Sequence, residues 1–178
     1  MEMWFLPFRS NARSGRPKPG SLLGVLVERH VGTPRHGLFQ AALAGFFGQN
    51  MKSHRIAVFT ATRLQVDAAT GRHRVPDLMI VEVPYTKGKV VTDVPAVVVE
   101  IKSPEDTFDD ILDRCFDYEK LAVGNIVVMD PDNRRAWMFR DGNLNFITGE
   151  AIRLDVGKAD GIHFPPSELF AELDGANE

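Results

Sequence analysis

One cysteine in 178 residues is the first scarcity in this chain. Cys115 alone cannot build an internal disulfide framework or a cysteine-based zinc site, so a reducing compartment is the simpler reading. No run approaches the roughly 18 apolar residues of a membrane span, and the apolar part of the opening "MEMWFLPFRS" is too short for a signal-peptide core. An excess of positive charge is missing as well. The formal net charge of −3 argues against a protein that coats nucleic acid constitutively, while leaving room for a local basic groove. Internal repeats are absent. The expectation is a soluble, cytoplasmic chain without a membrane partner.

What is present suffices for one substantial core, with 44% hydrophobic and 25% charged residues. Residues 1–21, rich in Ser, Gly, Pro and Arg towards their end, read as a flexible arm. Residues 22–172 read as one domain and 173–178 as a tail. "TPRHGLFQAALAGFFG" predicts a first helix, with Thr33 as cap, Pro34 at the first position and Gly48 near the stop. Phe39, Ala42, Leu43 and Phe46 form its inward stripe, and His36 and Gln40 share another face. "HRIAVFTATRLQV" and "RVPDLMIVEVP" read as two strands, and "PAVVVEIK" as a third. Ser103 and Pro104 are expected to open a second helix, with Asp106 reaching back to its start and Gly124 ending it. Phe108, Ile111, Leu112, Cys115 and Ala122 are its expected buried stripe. "NIVVMDP" follows as an interior strand, and the connecting helix allows a right-handed crossover, so that this strand lies parallel to the third. A hairpin turning at Asp141-Gly142-Asn143, a short strand and a terminal helical turn complete the order. The fold class is mixed α/β: an αβββαβ core with a β-rich C-terminal extension.

The third strand carries an expensive pair. Alternation places Val98, Glu100 and Lys102 on one face and Val97, Val99 and Ile101 on the other. Glu100 and Lys102 are then about 7 Å apart, too far for a tight ion pair and well placed to converge on a third object. The preceding strand offers Asp77 after Pro76. If the two strands are adjacent, Asp77 and Glu100 face one another as hard oxygen ligands, the arrangement Mg²⁺ favours. Lys102 would stand beside the attacking water. This is a device for in-line attack on a phosphodiester.

"VPD" (Val75–Asp77) followed by "VVVEIK" (Val97–Lys102) resembles the PD-(D/E)xK signature of restriction-endonuclease-like proteins. The surrounding sequence is similar to one branch, the Uma-type putative restriction endonucleases. The resemblance rests on "TPRHG", the "PDL" strand, "E-hydrophobic-x-S-P" before an acidic helix with Tyr118 and Gly124, and "VVMDP" with the closing "GIHFPPSELF". It spans roughly Gly24 to Phe170. It implies a restriction-endonuclease-like fold and a metal-dependent endonuclease hydrolysing DNA phosphodiester bonds. Asp77, Glu100 and Lys102 would be catalytic, and Mg²⁺ (with Mn²⁺ as a substitute) would be held by Asp77 and Glu100. The partner would be double-stranded DNA, with a homodimer as one way to cut both strands. The chain departs from the branch at two points. Many members have an apolar residue at the position of Lys102 and a lysine on the following helix; here that helix position is Arg114. Many related nucleases carry an acid on the first helix; here none lies between His36 and Gln49, and Glu28 is the nearest candidate for a third metal ligand.

Several residues carry two readings. His36 and Arg114 are site residues or surface residues; Gln40 is favoured as structural. Arg72, His73 and Arg74 either reach phosphates or sit on a solvated loop, and the Asp106–Asp117 acids read as a solvated helix face or, for some of them, as neighbours of the metal. A different functional class also fits: a catalytically silent nuclease fold that binds nucleic acid or a partner protein.

Overall fold

The computed structural model describes residues 32–149, 151–157 and 161–175, together with the backbone of a small hairpin, β1 (Ser21–Leu22) and β2 (Val25–Leu26). Most of the expected arm, and Glu28, lie outside the described residues. Helix α1 (Pro34–Gln49) begins as its sequence demands: Pro34 at the start, and the Thr33 hydroxyl accepting from the His36 N–H at 3.2 Å. Its buried side chains are Phe39, Leu43 and Phe47, and half-buried Phe46 shares contact with Phe164. A short α2 (Met51–His54) leads into β3 (Ile56–Thr60).

The expected single strand over "HRIAVFTATRLQV" is broken. Ala61 adopts a φ of 44°, and the chain leaves the main sheet there. Beyond it, β4 (Leu64–Asp67) pairs instead with β5 (Arg72–Arg74). The second expected strand divides likewise, with β6 (Leu78–Glu82) following residues 75–77. Then come β7 (Val97–Ile101), α3 (Phe108–Lys120), β8 (Asn125–Asp130), β9 (Arg135–Arg140) and β10 (Asn143–Phe146). The chain closes with β11 (Ile152–Leu154), β12 (Ile162–Phe164) and α4 (Pro166–Gly175). Leu173 is buried, so this last helix continues past residue 172.

Six strands form the central sheet in the order β10-β9-β8-β7-β6-β3. All pairs are antiparallel except β7–β8, which the α3 crossover makes parallel. Alternation along β7 divides the core. Val97, Val99 and Ile101 pack with α1, α4 and β12 on one side; Val98 packs with α3 and β4 on the other.

The helix start expected at Ser103 lies four residues later. Thr107 caps α3, its hydroxyl accepting from the Asp110 N–H at 3.2 Å while the Asp110 carboxylate accepts from the Thr107 N–H at 3.1 Å. Both "SPED" and "TFDD" carry the capping pattern, but only the second is followed by continuous helix. The buried stripe is Ile111, Cys115, Asp117 and Tyr118, whereas Phe108 is exposed and Ala122 lies beyond the helix with a φ of 64°. Asp117 enters because the β4–β5 hairpin brings arginines to it: Arg74 Nε lies 2.6 Å and Arg72 2.9 Å from its carboxylate. Arg74 also pairs with Asp113. Arg72, Arg74 and these two aspartates therefore tie the hairpin to α3.

Candidate active site

The site grows out of strand register. Leu78 stands opposite Val99 in the antiparallel β6–β7 pair, and one step outward the same register sets Asp77 against Glu100. Asp77 is held on several sides. Its Oδ2 accepts from the Ile101 N–H at 2.7 Å and its Oδ1 is 3.1 Å from His36 Nε2. Its carbonyl accepts from Gln40 Nε2 at 2.6 Å. Gln40 thus does a structural task, fixing the backbone of the residue on which the site depends. Glu100 is only 3% exposed and turns towards α3. Tyr118 donates its hydroxyl to Oε1 at 2.5 Å, and Arg114 Nε lies 2.9 Å from Oε2. That Nε–H is not aimed at the oxygen, so the contact is a charge pair rather than a directed hydrogen bond.

Two further residues link these contacts. Arg114 donates to Asp106 Oδ1 at 3.2 Å, and Asp106 Oδ2 accepts from the Ser103 N–H at 2.9 Å. The Ser103 hydroxyl is 3.1 Å from His36 Nδ1. Asp77, His36, Ser103, Asp106, Arg114 and Glu100 therefore form one chain of polar contacts at the end of β7, drawn from α1, the residue before β6, β7, the β7–α3 loop and α3. Lys102 stands beside it, its Nζ donating to the Ser103 carbonyl at 3.1 Å. Among the described residues Lys102 makes no ion pair. Of the residues in this chain of contacts and beside it, Ser103 and Tyr118 are not marked for the site by the sequence, and Asp106 only as one of the α3-region acids that could lie near a metal. Tyr118 had a signal, lying one turn from Arg114 on the same helical flank; Ser103 and Asp106 were read as parts of a helix cap.

Electrostatics explain the wiring. Burial, and then the facing Asp77 charge, push the Glu100 carboxyl up from 4.5 to about 7, against the opposing pull of Arg114 and the Tyr118 hydrogen bond. His36 is raised above its ordinary value, chiefly by its hydrogen bond to Asp77, with burial working the other way. Burial disfavours the Arg114 charge, yet Glu100 and Asp106 together hold that guanidinium above its usual range. Two opposed carboxylates at a strand end repel unless a cation stands between or beside them. Mg²⁺ takes one or two protein carboxylates with water and substrate oxygens, so Asp77 and Glu100 fit it. Among the described residues no group of three or more His, Cys, Asp or Glu side chains is placed to hold a metal ion.

The protein is a mixed α/β fold whose sheet has one parallel crossover and carries a carboxylate pair, Asp77 and Glu100, at one end of the β6–β7 register. The chain belongs to the Uma2 family, described as "Putative restriction endonuclease", whose family model matches residues 22–157. Among solved structures the chain is similar to a putative nuclease belonging to DUF820 from Anabaena variabilis ATCC 29413. The two are 15% identical, with a TM-score of 0.68 over 89% of this chain and 94% of that one. That likeness establishes the fold. A DrdV–DNA complex aligns over 64% of this chain and 12% of that one, 18% identical with a TM-score of 0.34, and carries no argument here. No curated protein matches the chain. Among the described residues no helix is long and apolar enough to cross a membrane.

Proposed function

We propose that this chain is a Mg²⁺-dependent endonuclease that hydrolyses phosphodiester bonds of double-stranded DNA. The observation that carries the reading is the opposed pair Asp77 and Glu100, two carboxylates facing one another in one strand register, with His36 beside the first and Arg114 beside the second. A divalent cation held by the pair supplies polarisation of the phosphate and a water of lowered pKa. Asp77 is oriented for that task by His36 and the Ile101 N–H, and Glu100 by Tyr118. Lys102, whose Nζ among the described residues donates to the Ser103 carbonyl and makes no ion pair, is available to turn to the phosphate and the attacking water. Arg114 balances Glu100 before substrate arrives and suits a phosphate oxygen afterwards. Supercoiled plasmid nicking in Mg²⁺ against chelator tests the reading. Asp77→Asn and Glu100→Gln are expected to lower the rate by about a hundredfold or more while the fold is retained. Undiminished nicking by either variant overturns it.

A second reading is favoured by one detail: Arg114 already bridges Glu100 and Asp106. In that reading the chain is a catalytically silent nuclease fold that binds nucleic acid. It predicts DNA binding that is unchanged by chelator and no product with Mg²⁺ or Mn²⁺.

A further inference from the structure

The central sheet ends on β10, and among the described residues no strand pairs with its outer side. Asp141 and Gly142 have φ values of 51° and 74°, the conformation of a two-residue type I′ turn, so Arg140 and Asn143 close the hairpin as a hydrogen-bonded pair. Antiparallel ladders alternate. Asn143 and Asn145 therefore direct their N–H and C=O groups to β9, and Leu144 and Phe146 direct theirs outward. The devices that usually blunt such an edge are missing: Asn143–Phe146 contains no proline and no charge, and its pairing with β9 has no bulge. The opposite edge differs, because Ile56 and Ala57 of β3 are buried.

Both faces beside this edge are open. On the α3 side, Phe146 is 53% exposed and meets Trp137 edge-on at 5.9 Å; Trp137 meets Phe108 at 5.7 Å. Phe108 and Phe116, 45% and 40% exposed, continue the strip along α3. On the reverse side a groove of about 720 Å³ follows β10, lined in part by Met138, Asn145, Ile147 and Ile152.

We propose that β10 is the edge through which this chain pairs with a second copy of itself, antiparallel about a two-fold axis at Asn145. An axis normal to the sheet keeps both α3 faces on one side, so residues of equal parity meet. Leu144 then stands opposite Phe146 of the partner subunit, and the reciprocal pair repeats it. Their outward N–H and C=O groups satisfy one another, and the two aromatic strips join into one covered surface. On the reverse face the Asn145 amide meets its own copy. The register selects the occupant: apolar Leu144 meets apolar Phe146, the Asn145 amides meet on the axis, Asn143 falls opposite Ile147, and Asn143–Phe146 strands no charge.

Sedimentation of the full chain, with hydrogen exchange at Leu144 and Phe146, tests this. The expected particle has twice the 19.8 kDa chain mass, with slow exchange at both amides. Phe146→Lys is expected to weaken association by at least tenfold and return both amides to fast exchange, with circular dichroism unchanged. Asn145→Asp, which places two like charges across the axis, repeats the test if the lysine variant fails to fold. A monomer at about 100 µM overturns the proposal, as does a dimer in which both amides exchange freely.

Discussion

Glu100→Gln should remove a loss of stability that the wild type suffers towards alkaline pH. The native state raises this carboxyl from 4.5 to about 7, mainly by burial. The folded protein therefore binds the Glu100 proton more tightly than the unfolded chain. Below about pH 4.5 both states are protonated and the group is neutral in its effect; as pH climbs towards 7 the unfolded chain ionises first, and stability falls. Above the folded value both states are ionised and the penalty is constant. At 1.36 kcal/mol per pH unit, a displacement from 4.5 to about 7 costs about 3 kcal/mol, most of which develops between about pH 5 and pH 8. Glutamine keeps the shape and an acceptor for the Tyr118 hydroxyl and does not ionise. Urea unfolding of both proteins in chelator at the two pH values measures the difference. The wild type should lose about 2 to 3 kcal/mol more than Glu100→Gln over that interval. Parallel pH profiles would refute the claim that Glu100 is held in an ionisation-resistant site.

Other consequences follow from the same contacts. Saturating Mg²⁺ in the wild type should raise stability by about 2.7 kcal/mol at a hundred times its dissociation constant, and Asp77→Asn should abolish that gain in a thermal melt. Thr107→Ala should cost about 1 kcal/mol through loss of the α3 cap; measured by urea unfolding, a negligible effect would place the helix start elsewhere. Arg74→Met should destabilise by about 2 kcal/mol because buried Asp117 keeps only Arg72, and adding Asp117→Asn should recover part of that loss in a double-mutant cycle.

Much of the scaffold was legible because its signals are local. The capped start of α1 follows from Thr33 and Pro34, and the apolar run of "NIVVMD" reads as a strand covered on both faces, as β8 is. Alternation alone put Glu100 on the face away from Val99 and Ile101, where the two core clusters separate. Local signals failed where two of them competed. "SPED" and "TFDD" are equivalent as capping patterns and both make the reach-back contact, Asp106 to the Ser103 N–H and Asp110 to the Thr107 N–H, but the Ser103 hydroxyl lies against His36 and only Thr107 caps a continuing helix. The acids of α3 read as a solvated face because the sequence does not reveal that β4 and β5 fold back onto that helix.

The sequence by itself determined the main elements from α1 to β8 apart from the β4–β5 hairpin, the parallel crossover and the residue types offered at the end of β7, because each depends on periodicity, capping and chain direction within short segments. Only the tertiary structure decided what those residues touch. Asp77 opposite Glu100 is a matter of register between strands 23 residues apart, and the contacts of His36 with Asp77 and Ser103 depend on how α1 lies across the sheet. The raised Glu100 carboxyl likewise comes from burial beneath α3, a property of packing that the local sequence does not encode.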